Sequence, residues 1–198
     1  VIRQAYPDLD PVKFKKENLQ NYTDLRAKIK GTIYGKSFNR GDKAIAQALG
    51  ITLAEATKLS NAFIRPGSAF DQWRQNIMSM AVQGVPIVNK FGRRFQHELI
   101  TSRNQQNVIN SAMSFISQST GNDLLLAATL RVEPELERFG ARAISTIHDA
   151  LYCSVPEENA EALGEFIVEN IVRSGEELYG NQVAFVSDWG IGKNLAEV

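Results

Sequence analysis

The stretch ARAISTIHDALYCSVP, Ala141 to Pro156, lies between two long segments that read as helix. Its alternating, β-branched character predicts two strands joined by a tight turn at His148 and Asp149. One hairpin set among helices makes the fold class α+β, with an antiparallel sheet and helices behind it. The turn also carries an ionisable pair inside an apolar hairpin. Asp149 either shapes the turn through its short side chain or offers its carboxylate to chemistry, and its neighbours alone allow both.

Working outward, the C-terminal side continues with NAEALGEFIVENIVRSGEELYG, an amphipathic helix with an acidic outer face, and QVAFVSDWGIG, expected as a final strand. On the N-terminal side, Ser102 to about Arg131 contains no proline and predicts one long helix, polar in its first half and apolar at LLLAATL. VPIVNKFGRRF predicts a hairpin around Asn89 to Gly92 that presents Arg93 and Arg94 beside Phe95. Three helices precede it: DKAIAQALG stopping at Gly50, ITLAEATKLSNAFIRP capped by Thr52 and ending before Pro66, and SAFDQWRQNIMSMAVQG ending at Gly84. Phe70, Trp73, Ile77 and Met80 recur every three or four residues in the last of these, which is core spacing. PDLDPVKFKKENLQNYTD reads as turn-rich and basic, with Thr23 expected to cap a helix running to about Tyr34.

That helix, RAKIKGTIYGKSF from Arg26 to Phe38, places Arg26, Lys30 and Tyr34 four residues apart, with Phe38 one step further. Successive positions drift by roughly 40° and so share one face. Two cations and a ring there suit a phosphate at one end and a flat ring at the other, or simply a solvated basic face. Gly31 inside the helix costs about 1 kcal/mol relative to alanine, which fits a close approach to the backbone or a kink.

The 198 residues include 43% hydrophobic side chains, enough for a packed core of one large domain or two small ones. Net charge is zero, yet residues 1 to 100 hold 16 Lys and Arg against 8 Asp and Glu, and residues 101 to 198 hold 6 against 14. A basic first half suits a polyanionic partner; an acidic second half is solvated surface or a source of metal-binding carboxylates. The single cysteine, Cys153, excludes an intrachain disulfide framework and a thiolate metal site, and is expected to be a buried, inert thiol. Two histidines and the absence of a P-loop or Ser-His-Asp pattern leave carboxylate chemistry as the remaining candidate. VIRQAYPDLDP has neither leader pattern, and no apolar run approaches about 18 residues, so the chain is expected to be soluble and cytoplasmic, with no membrane partner.

Several motifs together carry a resemblance. Arg26-x3-Lys30-x3-Tyr34-Gly35 and IHDALY at Ile147 to Tyr152 resemble motifs B and C of the family A DNA polymerases. NKFGRRF at Asn89 to Phe95 is similar to that family's T-x-x-G-R-R neighbourhood, SQSTGND at Ser117 to Asp123 to its Q-G/S-x-x-x-D element in the phage-like form, and WGIGKNLAEV to its ending. The resemblance covers nearly the whole chain in order.

What it implies is a partial right-hand architecture, with fingers over residues 1–100 and the C-terminal part of the palm over 101–198. Arg26 and Lys30 would bind the triphosphate of an incoming dNTP, Lys30 meeting the charge of the departing pyrophosphate. Tyr34 would pack beside the sugar and Phe38 lie towards the template. Gln118 would read the minor groove of primer-template DNA, Arg93 and Arg94 would clamp its backbone, and His148 would touch the primer terminus. Asp149 would be a metal ligand for two Mg²⁺ ions. Departures from the pattern are Ala150 in place of Glu, Asn39 in place of Gly, and Ser114 and Asn110 where Asn and Arg are common. Motif A, D-Y-S-x-x-E, which supplies the other aspartate, would lie about twenty residues before Val1 by the family's spacing. The chain is thus expected to work with an N-terminal polymerase piece carrying motif A and the thumb, as a split subunit or as part of a longer chain. A single-subunit phage-type RNA polymerase and a non-catalytic nucleic-acid-binding remnant are the alternatives; Tyr34 at the fourth residue after Lys30 speaks against the former.

Overall fold

The computed structural model describes residues 1–197, apart from the Asn181 side chain. Its elements run α1 (Ile2–Ala5), α2 (Pro11–Glu17), α3 (Leu19–Ser37), α4 (Asp42–Leu49), α5 (Leu53–Phe63), α6 (Ala69–Gln83), α7 (Gln105–Val132), β1 (Arg142–Ile147), β2 (Ala150–Ser154) and α8 (Ala160–Tyr179), with short 3₁₀ turns at Glu133–Phe139, Glu157–Asn159 and Gly180–Gln182. The fold is mainly helical with one small antiparallel sheet, as the α+β reading expects. Contacts divide it into two compact units, residues 1–88 with 94–116, and residues 89–93 with 117–198.

In the first unit local chemistry starts and stops the helices. Thr52 accepts from the Glu55 N–H and Ser68 from the Asp71 N–H, while Gly50 and Gly84 end α4 and α6 in left-handed geometry, φ 63° and 69°. Helix begins earlier than the sequence suggests. Asp10 caps α2 by accepting from Val12 and Lys13, with Pro11 at the first helical position, and α3 starts at Leu19. Thr23 therefore lies inside α3, where its hydroxyl donates to the Leu19 carbonyl instead of capping. Ala5, Ile29 and Leu59 form one core cluster, Ile45, Ala46 and Ala56 a second, and Ile77, Ala81, Ile87, Ile109, Ala112 and Met113 a third. Trp73 and Met80 pack against the third, as their spacing anticipates. The expected hairpin after α6 shrinks to one antiparallel bridge, Val88 with Arg94, closed by the Gly92 N–H to the Asn89 carbonyl.

In the second unit β1 and β2 pair antiparallel, from Arg142 opposite Ser154 to Ile147 opposite Ala150. A two-residue turn, His148 and Asp149, joins them, and a bulge interrupts the register between Ala143 and Ser145. Every β1 residue is exposed, whereas Leu151 and Cys153 of β2 pack on the cluster of Val132, Leu136, Ala141 and Leu163. Cys153 is half-buried, and that burial raises its thiol pKa, favouring the neutral form. Among the described residues no helix is long and apolar enough to cross a membrane.

The segment after Gln182 is not a strand. It lies along α8, with the Phe185 ring over Gly175 and the Trp189 ring over Gly164. Among the described residues no strand pairs with it, and the two glycines give its aromatic rings a seat instead. A Cβ at Gly164 would stand 2.5 Å from Trp189 Cδ2. Gly164→Ala is therefore expected to lose about 1–2 kcal/mol through overpacking, despite alanine's better helix propensity. Urea unfolding followed by Trp189 fluorescence in a Trp73→Phe background checks it; unchanged stability and emission would mean that the ring is not seated there.

Candidate functional site

On α3 the buried side chains and the candidate stripe point apart. Ile29 and Thr32 are buried with Gly35, while Arg26, Lys30 and Tyr34 are exposed on roughly the opposite face. The two glycines explain why that face is held in place. A Cβ at Gly31 would stand 2.5 Å from Leu49 Cδ2, and one at Gly35 2.9 Å from Ile45 Cγ1, so α4 packs directly on α3 backbone. Gly31 thus marks a close approach. Asp42 ties three helices together: it accepts from Lys36 of α3 at 3.0 Å and from Ser60 of α5 at 2.8 Å. Burial pushes its carboxyl up, and the Ser60 and Lys36 hydrogen bonds outweigh this, leaving the pKa below the ordinary value.

The stripe itself is a row of uncommitted groups. Lys30 Nζ stands 5.6 Å from the Tyr34 ring centroid, a loose cation–π contact, and Tyr34 is 53% exposed. Arg26 has no ion-pair partner among the described residues. Phe38, half-buried, closes the helix. Asn39 follows at φ 58°, a left-handed position where asparagine is the usual stand-in for glycine, which accounts for the Asn at this site. Its amide also works: Nδ2 donates to Asn110 Oδ1 of α7 (3.1 Å), and Oδ1 accepts from Arg74 of α6 (3.2 Å). Arg74 in turn pairs with buried Asp71, which accepts from the Gly67 N–H. A polar chain thereby fixes the C-terminal end of the stripe.

In the second unit, His148 and Asp149 form the exposed hairpin turn, with His148 at φ 57°. A histidine held there is uncommon and often marks a functional turn. Asp149 has no hydrogen-bond or ion-pair partner among the described residues, and no group of three or more His, Cys, Asp or Glu able to hold a metal occurs among them. One free carboxylate can serve as one arm of an Mg²⁺ shell, the rest coming from phosphate, water or another carboxylate. Gln118 is exposed on α7 with an uncommitted amide. Arg94, in the first unit, is exposed and unpaired among the described residues.

Arg93 is exposed and also paired. Its guanidinium grips Asp123 of α7 with both arms, Nη2 to Oδ1 at 2.6 Å and Nε to Oδ2 at 3.0 Å. Buried Asn89 completes the cluster: Nδ2 donates to Asp123 Oδ2 (2.7 Å) and Ser119 Oγ (3.0 Å), and Oδ1 accepts the Phe91 and Arg93 N–H groups. Arg93 thus supplies the partner that the nearly buried Asp123 carboxylate requires, while its own side chain stays 52% exposed. Both ends of the pair lie in the quoted motifs GRRF and SQSTGND; neither motif reveals that they meet.

Arg93 holds the Asp123 carboxyl below the usual carboxylate range, against the upward push of burial and with help from Asn89. A depressed pKa contributes stability above the unfolded value of about 3.9, lost as pH falls through the folded value. Asp123→Asn is thus expected to lower the melting temperature at pH 7, with the gap to the unmodified chain narrowing below about pH 4. A gap constant across a pH series of thermal unfolding would mean that the ion pair contributes nothing.

Comparison with known proteins bears on the family and the fold. DNA polymerase I of Aquifex aeolicus is 27% identical over 128 residues, covering 64% of this chain and 21% of that protein. The thermostable DNA polymerase I of Thermus aquaticus is 26% identical over 167 residues, 83% of this chain and 19% of that one. The chain thus spans about a fifth of the length of these relatives. Among solved structures, the POL domain of Pol1 from M. smegmatis, in complex with DNA primer-template and dNTP, superposes with a TM-score of 0.68 at 19% identity, over 87% of this chain and 30% of that one. That likeness establishes the fold. The sequence profile of DNA polymerase family A matches residues 12–197, taking in the α3 stripe, the α7 motif and the hairpin alike, and the chain belongs to that family.

Proposed function

We propose that the chain forms the fingers (residues 1–100) and the C-terminal part of the palm (101–198) of a template-directed DNA polymerase, which adds dNTPs to a primer 3′-hydroxyl. The observation that carries this reading is the α3 face: Arg26, Lys30 and Tyr34 stand exposed on a helix whose other side is locked to α4 through glycine contacts. Fixed cations on a rigid element suit a triphosphate, whose charge shifts to the leaving pyrophosphate as the primer oxygen bonds the α-phosphorus. Tyr34 offers its ring edge to the sugar, and Phe38 continues towards the templating base. Arg94, unpaired, and Arg93, half-exposed while bonded to Asp123, are the contacts to the backbone of the duplex. Gln118 presents an amide donor to the acceptors common to correct base pairs in the minor groove. His148 and Asp149, at the apex of the hairpin, face the primer terminus and the metal respectively.

Asp149 would hold Mg²⁺ through one carboxylate arm, and two such ions supply stabilisation of the attacking and leaving oxygens. The second aspartate belongs to a motif A segment outside these 198 residues, so the chain needs a piece carrying that motif and the thumb. Primer-template DNA and dNTP are the partners. The Pol1 domain in the M. smegmatis complex is bound to both, which supports the assignment.

Primer extension tests it. The 198-residue chain alone is expected to extend negligibly and to gain activity when a motif A piece is added; robust extension by the chain alone would sink the divided site. In the complemented enzyme, Asp149→Ala should cost ~10²-fold or more, the effect of several kcal/mol of lost charge stabilisation. Activity indifferent to that change would favour a non-catalytic binding role. Arg26→Ala should weaken dNTP binding about tenfold, the worth of a charge-assisted hydrogen bond, leaving primer-template affinity unchanged. An equal loss for both ligands would remove Arg26 from the nucleotide site.

A further inference from the structure

Residues 117–123 of α7 read SQSTGND, and no stretch of helix in this chain has poorer reasons to be one. Serine, threonine and asparagine favour local side-chain bonds over helix, and glycine in a helix interior costs about 1 kcal/mol relative to alanine. A Cβ at Gly121 would meet nothing within 4 Å, so packing does not call for that glycine. Yet the segment is continuous helix within Gln105–Val132. Something other than propensity holds it.

The tie is one amide. Asn89, only 6% exposed, donates through Nδ2 to Ser119 Oγ and to Asp123 Oδ2, residues one helical turn apart and so adjacent on the same face. Its Oδ1 accepts from the Phe91 and Arg93 N–H groups, so the same side chain shapes the loop that delivers Arg93 to Asp123. Asp123, 8% exposed, is thereby satisfied from both the loop's cation and its amide. These contacts all lie inside the second unit. A threonine, found here in the family pattern that NKFGRRF resembles, has no amide with which to donate twice while accepting twice.

Gln118 immediately precedes Ser119, and its own side chain is exposed and uncommitted. We infer that Asn89 is a positioning residue: by pinning Ser119 and Asp123, it sets where the α7 backbone presents the Gln118 amide to the edge of a base pair. The inference rests on the polymerase reading, in which Gln118 meets the minor groove. A hydrogen bond to a base edge weakens steeply with angle and distance, so a frayed turn at 117–123 would lose the selectivity of the contact before it lost general affinity for the duplex.

The test compares the affinity of the 198-residue chain for two primer-templates by fluorescence anisotropy. One carries guanine at the primer-terminal pair and the other 3-deazaguanine, which lacks the minor-groove acceptor. The unmodified chain is expected to prefer the first by about fivefold or more, and Gln118→Ala to lose that preference. Asn89→Asp keeps the loop-capping oxygen but replaces the donor with a carboxylate facing Asp123. It should abolish the preference to the same extent, and the double variant with Gln118→Ala should lose no more. A purely structural role would lower both affinities alike and leave the ratio intact, which overturns the inference while the polymerase reading stands. No preference in the unmodified chain overturns the Gln118 assignment and the inference with it. Should Asn89→Asp lose its helical circular dichroism, Ser119→Ala removes one leg of the tie alone. It is expected to reduce the ratio, and an unchanged ratio there overturns the inference.

Discussion

The closeness of α3 to α4 is the constraint from which the first unit follows. Where Gly31 and Gly35 stand, any side chain would occupy the space of Leu49 and Ile45, so bare backbone lets the second helix settle into contact. The cost is two glycines in a helix interior, roughly 2 kcal/mol together relative to alanine. Packing against Ile29, Leu59 and their neighbours, with Asp42 bridging Lys36 and Ser60, offsets that loss. One consequence is directional. Once that face of α3 is committed to α4 and α5, Arg26, Lys30 and Tyr34 have only the outward side left. A stripe of charge on an isolated amphipathic helix could roll; this one is held from behind.

The second unit depends on a different kind of constraint, a buried carboxylate that must be satisfied. Asp123 is met by Arg93 and Asn89 in one cluster, and removing Arg93 would leave a charge without its counter-ion away from water. The two units thus fix their functional groups by opposite means, one by steric fit and the other by electrostatic necessity. The hairpin turn belongs to neither scheme. His148 and Asp149 are exposed, and their geometry comes from the register of β1 and β2 alone.

Much of this was legible in the sequence where a residue acts on its near neighbours. Thr52 and Ser68 as caps, Gly50 and Gly84 as stops, and the two-residue turn between Ile147 and Ala150 are short-range chemistry that a linear reading captures. The start of α3 was misread because Thr23 looks like a cap, although Asp10 and Pro11 begin a helix earlier and nothing after Asn18 stops the next. QVAFVSDWGIG was misread because its pattern describes a half-buried extended segment without saying what covers it. Rings seated on helical glycines satisfy that pattern as well as a sheet would. The bond from Arg93 to Asp123 was not legible, because its partner lies thirty residues away. Which side chains meet across such a separation is decided by packing, and no spacing rule encodes it.

The uncovered flank of β1 has a bearing on how this polypeptide behaves in a crowded solution. Its six residues are exposed throughout, including Ile144 at 61%, and their sheet has only two strands. Such an edge is a template for another strand, whether the proper one or a stray copy of itself. The irregularity between Ala143 and Ser145 breaks the even row of amides and carbonyls that a stray copy would need. The hairpin is therefore guarded against aggregation by the same bend that limits what can complete it, and a strand that adds there must match a broken register.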